Sequence, residues 1–374
     1  MKYCQKCLQP DTRPNSVFGE NGLCPACSYD QSLKDVDWLA RYEILEELLS
    51  KEKKKSAGFD CIVGVSGGKD STRQALWVRD KLGLKPLLVC LSFPPQQVAE
   101  RGVNNISNLI NLGFDVVFSS PAPEMWRKLM RESFFKFTNW ARSTELALFS
   151  AVPQIAIKYS IPLIFWGENP ALQVGDLKTQ GKNGYDGNSL RYSNTLASGH
   201  TWMIENGYPA KGILPFVYPS VEQFTAANIQ IVFLGWFLGD WSLINNGAYA
   251  SANGLHIRDE DVSLTGDLYG NSNLDEDWHL MNQMIKYYKF GFGKVTECVN
   301  EELRSGTMDR SDAIDIVEKF DGACGTEYIE SFCSYIDISV KQFWEQVHSS
   351  VNRNLFSIEH DGIIRRKFKV GIGL

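Results

Sequence analysis

With 374 residues, 44% of them hydrophobic and 12% aromatic, the chain is long enough to bury a sizeable core, as one large domain with appendages or as two domains. A net charge of −6 and a pI near 5.5 weigh against nucleic acid as the main partner, because such binders usually carry a basic footprint. No stretch approaches the roughly 18 apolar residues of a membrane span, which argues against membrane insertion.

No apolar h-region follows Met1-Lys2-Tyr3-Cys4, so the expected compartment is the cytoplasm. Nine cysteines there are expected as metal ligands or buried thiols rather than disulfides. Four of them lie in the first thirty residues, as Cys4-x-x-Cys7 and Cys24-x-x-Cys27 with sixteen residues between the pairs. Each two-residue spacer lets a tight turn aim both sulfurs at one point, and two such knuckles suit a closed, structural four-thiolate zinc site. An iron–sulfur cluster is the alternative for the same set. Pro10, Pro14, Gly19 and Gly22 make the intervening stretch loop-like, so a metal would supply most of its order.

From Asp35 to Lys55 the apolar residues Trp38, Leu39, Tyr42, Leu45, Leu48 and Leu49 recur at helical spacing, ending in the solvated run Lys51–Lys55. Strand patterns then alternate with helix patterns. Strands are expected at Asp60–Val65, Pro86–Leu91, Asp115–Ser119 and Pro162–Trp166. Helices are expected at Ser71–Leu82, Gln96–Asn111 and twice between Glu124 and Tyr159. Apolar strands alternating with helices imply an α/β fold with a doubly wound, mainly parallel sheet. Ligands in such sheets sit beyond the carboxyl ends of the strands. Three stretches therefore point at one crevice: Ser66–Ser71, Cys90–Pro94 with Ser92, and Gly167-Glu168-Asn169-Pro170.

The first of these, Ser66-Gly67-Gly68-Lys69-Asp70-Ser71, joins a strand end to a helix N-terminus. Adjacent glycines allow unusual backbone conformations and close approach of a ligand. The helix N-terminus offers unpaired N–H groups and a partial positive charge, which suits phosphate. Counting excludes two commoner phosphate motifs. Gly64 is followed by three residues before Gly68-Lys69, where a Walker A loop needs four, and Ser66 fills a position that the dinucleotide fingerprint reserves for glycine. What remains resembles the PP-loop of the N-type ATP pyrophosphatases, which hold the pyrophosphate of ATP and cut between its α and β phosphates. Ser66, Gly67, Gly68, Lys69, Asp70, Ser71 and Ser92 are accordingly candidate nucleotide ligands, with Ser66, Lys69 and Asp70 also candidates for catalysis. Glu168 is a candidate to hold magnesium or orient the substrate; a turn acid facing solvent is the plainer reading. Cys90, alone at a strand end, reads as a buried thiol.

Between Ala171 and Pro215 Gly, Asn and Ser dominate and periodicity is lost, as in a long substrate loop or any surface loop. Ile229–Trp241 returns to the core, with Gly235, Gly239 and Asp240 shaping a second loop. From Asp275 onward the chain reads as helical, over Leu280–Phe290, Val295–Leu303, Arg310–Phe320, Glu327–Tyr335 and Ser339–His348. Gly291-Phe292-Gly293-Lys294 interrupts it, either as a plain helix–helix turn or as a backbone segment near the nucleotide. The expected organisation is a four-cysteine zinc module over 1–32, a helical linker over 33–56, a PP-loop domain with substrate loops over 57–260 and a helical region over 261–374.

Cleavage of ATP between its α and β phosphates serves to place AMP on an oxygen that is otherwise a poor leaving group. The nucleophile that displaces AMP needs a source. None of the five histidines sits in the His-x-Glu arrangement of class I glutaminases, and Gly322-Ala-Cys324-Gly-Thr326 lacks the final glycine of a nucleophile elbow. Cys4 belongs to the zinc set, so ammonia would have to come from solution or a partner chain. Several stretches together are similar to the N-acetyl sugar amidotransferases of the WbpG/PseA type, which act in bacterial surface-polysaccharide and nonulosonic-acid pathways. These are Cys4-x-x-Cys7 with Asp11-Thr12-Arg13-Pro14, Cys24-x-x-Cys27, Gly64–Ser71, Trp166-Gly-Glu-Asn-Pro170, Lys289-Phe-Gly-Phe-Gly293, Glu302–Gly322 and Phe343-Trp344. That resemblance implies an ATP- and magnesium-dependent enzyme with structural zinc. Its substrate would be an acetamido sugar from a UDP- or CMP-linked pathway, converted to the acetamidino form in O-antigen or surface-glycan synthesis. It also implies a partner resembling the glutaminase of histidine biosynthesis, with its synthase-like companion. The loop Asp240–Ala252, with Asn245-Asn246-Gly247, departs from that family's pattern. The rival reading is a PP-loop tRNA-modifying enzyme of the thiolation or lysidine type.

Overall fold

The computed structural model describes residues 1–52, 58–167, 169–176, 186–193, 196 and 199–374. Five strands form one parallel sheet: β1 (Cys61–Val65), β2 (Pro86–Leu91), β3 (Asp115–Ser119), β4 (Leu163–Trp166) and β5 (Gln230–Phe233), in the order β3-β2-β1-β4-β5. The central strands are apolar almost throughout because helices cover both faces; Ile62, Val63, Leu88 and Ile164 expose nothing. The sheet winds outward from β1 in one direction and from β4 in the other. Right-handed crossovers then put the helices of the two halves on opposite faces, and the strand order reverses between β1 and β4. In such sheets the crevice for ligands opens beyond the carboxyl ends of the strands at that reversal.

The larger helices are α1 (Pro25–Ser32), α2 (Trp38–Glu52), α3 (Lys69–Asp80), α4 (Glu100–Asn111), α5 (Pro123–Phe137) and α6 (Ala141–Tyr159), then α7 (Leu243–Ala252), α8 (Trp278–Phe290), α9 (Lys294–Ser305), α10 (Arg310–Phe320), α11 (Thr326–Ile336) and α12 (Val340–Ser350). Two departures from the sequence reading affect the site. The helix expected from Gln96 begins only at Glu100, because Val98 bridges to Glu276 and the Ala99 N–H donates to Asp275 O at 2.9 Å. The stretch read as a loop at Asp240–Ala252 contains α7, capped where the Ser242 side chain accepts from the Asn245 N–H. The region after Ala171 also carries short helical turns at Pro170–Val174, Gly187–Tyr192, Thr201–Glu205 and Leu214–Phe216.

A second apolar cluster lies apart from the sheet. Cys4, Leu8, Leu23 and Cys27 pack with Val295, Val299, Val317, Phe356 and Phe368, so the N-terminal knuckles share their core with the C-terminal helices. Polar contacts reinforce it: the Leu8 N–H donates to Asn300 Oδ1 at 2.7 Å, and Arg310 Nη1 to Cys7 O at 2.7 Å. Among the described residues no helix is long and apolar enough to cross a membrane.

Candidate active site

The floor of the candidate site is the β1–α3 turn. Gly67 has φ +79°, in the left-handed region that favours glycine. A Cβ there would lie 3.0 Å from Asn105 Cβ and 3.2 Å from Gly102 O, so space as well as conformation requires glycine. Gly68 caps α3 with extended backbone and no side-chain acceptor, leaving the first-turn N–H groups for a ligand. Ser71 closes the turn, its Oγ donating to Gly68 O at 3.1 Å and accepting from the Ser66 N–H at 3.4 Å.

Lys69 is 8% exposed, with Nζ 3.0 Å from Asp70 Oδ2. Asp70 Oδ1 accepts from Asn246 Nδ2 at 2.6 Å, and Asn246 Oδ1 accepts from Arg73 Nη1 at 2.6 Å. Burial works to raise the Asp70 carboxyl, but the Lys69 ammonium and the Asn246 amide outweigh it and hold it below its ordinary value. Arg73 also pairs with Asp240 at 2.7 Å and lies over the Trp241 ring, so α7 is locked onto α3 through the residues behind the loop. An incoming phosphate would compete with Asp70 for Lys69.

The roof comes from the C-terminal part of the chain. Residues 271–275 and Lys294, the first residue of α9, face the turn across a cavity of about 310 Å³. Leu148, Phe149 and Trp166 form an apolar side, the last two stacked with centroids 5.7 Å apart. The roof is held from behind. Arg258, whose side chain is fully buried, pairs with Asp277 and Asp267, and Arg101 of α4 also pairs with Asp277. Asp267 Oδ2 accepts from the Ser272 N–H at 2.9 Å. Gly102 makes the contact possible, since a Cβ there would lie 2.6 Å from Asp275 Cα. Burial pushes the Asp275 carboxyl up to about 6. For Lys294 burial acts to lower the ammonium, yet Cys298, Glu297 and Glu301 together raise it, so it stays charged.

Ser66, Gly68, Lys69, Asp70 and Ser71 thus line one cavity, with Gly67 shaping the turn behind them. Ser92 is not among the lining residues; its N–H extends the sheet by donating to Ser119 O at 2.8 Å. Glu168 lies outside the described residues, although Trp166 and Gly167 before it line the cavity. Cys90 is 5% exposed, with its thiol pushed by burial up to about 12. The Gly291–Lys294 stretch is a turn between α8 and α9, and its last residue, Lys294, lines the cavity. Gln74, Asn246, Asn271, Ser272 and Asp275 were missed. For the last three the sequence signal is the polar cluster Asn271-Ser-Asn-Leu-Asp275 just before a helix.

The four N-terminal cysteines form a second candidate centre. Their sulfurs all lie within 4.8 Å of one another, and all four side chains are buried. Cys7 and Cys24 sulfurs are 3.7 Å apart, against about 3.8 Å expected between thiolates on one tetrahedral zinc ion. Backbone N–H groups of Gln9 and Cys24 point at the sulfurs of Cys7 and Cys4, at 3.4 and 3.2 Å. The donor set fits a single metal ion.

No curated protein matches the chain. Solved structures are similar at low level, among them the following three. A predicted subunit of tRNA methyltransferase from Methanocaldococcus jannaschii shares 18% identity over 51% of this chain and 73% of its own, at a TM-score of 0.29. NMN synthetase from Francisella tularensis shares 12% over 59% of this chain and 95% of its own, at 0.29. The U34-tRNA thiolase NcsA from Methanococcus maripaludis, with its 4Fe-4S cluster, shares 13% over 99% of this chain and 96% of its own, at 0.28. Likeness at this level carries no argument, and the fold rests on the strand order itself. Residues 269–369 match the family described as LPS biosynthesis protein WbpG-like, C-terminal domain. The matched residues include the roof of the cavity and the helices packed on the cysteine knuckles, so the similarity to the WbpG-like C-terminal domain falls on that part of the molecule.

Proposed function

We propose that this protein is an ATP-dependent amidotransferase that converts an acetamido group of a sugar into an acetamidino group. The observation that carries the reading is the pairing of a PP-loop floor with a roof from the WbpG-like domain across one cavity. The first-turn N–H groups of α3, Lys69 and Ser71 would grip the β and γ phosphates, and the wall of Leu148, Phe149 and Trp166 offers an apolar face to the base. Magnesium on the phosphates fits Asp70 and Asp275, with Glu168 next in sequence to the cavity-lining Gly167; bound there, it would neutralise charge on the departing pyrophosphate.

The acetamido oxygen attacks the α phosphorus; an O–P bond forms, and the bond to the β phosphate breaks as pyrophosphate leaves. Ammonia then adds to the activated carbon, AMP departs with the former amide oxygen, and the nitrogen loses its extra protons. Lys69 and the loop N–H groups serve the first step by stabilising charge as it builds on pyrophosphate. A separate glutaminase, resembling that of histidine biosynthesis and with its synthase-like companion, would deliver the ammonia. The compact sulfur set favours one zinc ion over a cluster. Against the thiolation alternative, no cysteine among the described residues lines the cavity.

The test is mass spectrometry of UDP- and CMP-linked acetamido sugars incubated with the protein, ATP, magnesium and ammonium. The expected product is lighter by about one mass unit, as NH replaces O, with AMP and pyrophosphate formed in equal amount. Pyrophosphate release stimulated by tRNA and by no sugar would refute the reading.

A further inference from the structure

Two lysines line the cavity, Lys69 from the floor and Lys294 from the roof, and they are engaged differently. Lys69 already has a counter-ion, with Nζ 3.0 Å from Asp70 Oδ2. Lys294 is half-buried, and among the described residues no hydrogen bond or ion pair holds its ammonium. Burial disfavours its charge, but Cys298 and three carboxylates, Glu297, Glu301 and Asp267, favour it. Each of those carboxylates is committed elsewhere. Glu297 pairs with Arg13 Nη2 at 2.6 Å and with Lys286 Nζ at 3.0 Å. Glu301 Oε2 accepts from the Leu243 N–H at 3.0 Å. Asp267 Oδ2 accepts from the Ser272 N–H at 2.9 Å and lies 3.7 Å from Arg258 Nε. The roof thus offers the cavity a cation held positive from a distance and gripped by no partner among the described residues. A cation placed in that way is paired when an anion enters.

The helix end that carries Lys294 is not what invites the anion. Asp321 accepts from the Gly293 N–H at 2.7 Å and from Thr296 Oγ1 at 2.6 Å, so the α9 N-terminus already has a carboxylate. The Lys294 side chain is what remains for a ligand. Its position selects which one. The field of Lys294 reaches the Asp70 carboxyl, and those of Lys294 and Lys69 both reach the Cys298 thiol. The two ammonium groups therefore border the same end of the cavity, the end with the first-turn N–H groups of α3, where phosphates belong. Roof and floor also meet there: a Cβ on Gly247 would lie 2.6 Å from Asn271 Nδ2 and 3.9 Å from Lys69 Cδ. Lys69 must be shared between a phosphate and Asp70. Lys294 need not be shared.

We propose that Lys294 is a catalytic residue that grips the departing pyrophosphate from the roof, opposite the loop N–H groups of the floor. Its ammonium donates to oxygens of the β and γ phosphates, where charge gathers as the bond to the α phosphorus breaks. This assignment rests on the ATP-cleaving half of the reading above.

The probe is inorganic pyrophosphate with magnesium, titrated calorimetrically into the folded full chain, with AMP and UDP-N-acetylglucosamine as comparisons. Wild type should bind pyrophosphate. Lys294→Gln should weaken that binding about 10- to 100-fold, the effect of losing a charged hydrogen bond, with AMP affinity unchanged. Lys294→Arg, which keeps the charge, should recover part of the loss. If Lys294→Gln does not fold, reductive methylation of the wild-type chain carries the test: pyrophosphate should shield Lys294, and equal labelling with and without it overturns the assignment. Pyrophosphate binding that is absent in wild type, or unchanged in folded Lys294→Gln, overturns it too. So does an equal loss for AMP, or a loss confined to UDP-N-acetylglucosamine, which would place Lys294 on the second substrate. The two readings fail separately. Amidine formed by Lys294→Gln at the wild-type rate sinks the assignment alone, whereas Lys294-dependent pyrophosphate binding without amidine product sinks the reaction alone.

Discussion

The floor of the cavity is made of consecutive residues, 66 to 71, fixed by one left-handed glycine and two hydrogen bonds within the turn. The roof, residues 271–275 with Lys294, is fixed by Asp267 close by and by groups farther away in sequence: the Ala99 N–H, Gly102, Arg101 and buried Arg258. A floor of main-chain donors suits the phosphates that every ATP user shares. A roof of side chains, Lys294 apart, suits whatever is particular to the second substrate. The difference teaches that damage to the floor should stop chemistry without unfolding the protein, while damage to the roof should show first in substrate affinity and in stability.

The largest effect should come from Lys69→Ala, which removes the buried cation from the floor. Pyrophosphate release is expected to fall about 100-fold or more, with the fold retained and the melting temperature lowered by the loss of the Asp70 pair; near-wild-type turnover would remove Lys69 from the site. Next comes the metal centre behind the roof. Cys24→Ser should lose the bound ion and melt at lower temperature, because a four-thiolate set with one ligand gone no longer closes. Elemental analysis beside a melting curve checks this, and unchanged zinc content would break the four-cysteine assignment. Gly102→Ala strikes the seam itself. Its Cβ would sit 2.6 Å from Asp275 Cα, so the roof must shift, at a cost of roughly 1–3 kcal/mol. The KM for the sugar should rise more than the KM for ATP, and equal rises would show that the two walls are not separable. The smallest effect is a matter of pH. The folded state raises the Asp275 carboxyl from 3.8 to about 6, so its neutral form is favoured. The corresponding stability is fully present below about pH 4 and is lost as pH rises through about 6. Asp275→Asn should therefore melt higher than wild type at pH 7.5 and alike at pH 4; a difference independent of pH would mean that the carboxyl does not titrate there.

The floor could be read from the sequence because its cause is local: Gly67 and Gly68 after an apolar strand permit few arrangements. The same holds for the cysteine knuckles, whose two-residue spacers prescribe converging sulfurs. Helix α7 could not be read that way. Asn245, Asn246 and Gly247 are poor helix formers, and the helix exists there because Asn246 bridges Asp70 and Arg73 while Gly247 makes room for Asn271. Nor could the late start of α4, since what holds Val98 and Ala99 out of the helix lies at Asp275 and Glu276. Ser92 misled for a related reason: a strand end shows which crevice is near, not which residue turns into it.

The core shared by the knuckles and the C-terminal helices also bears on how the chain assembles. Leu8 and its partner Asn300 are 292 positions apart, and Cys4 packs in the same cluster as Phe368. During synthesis the cysteines therefore emerge long before the surface that covers them. Bringing such distant segments together makes this part of the fold the slow one. Until residues beyond Val295 have been made, an ion captured by the four cysteines would be the main thing able to keep the knuckles ordered, so metal supply would bear on the early life of the chain as much as on the stability of the finished protein.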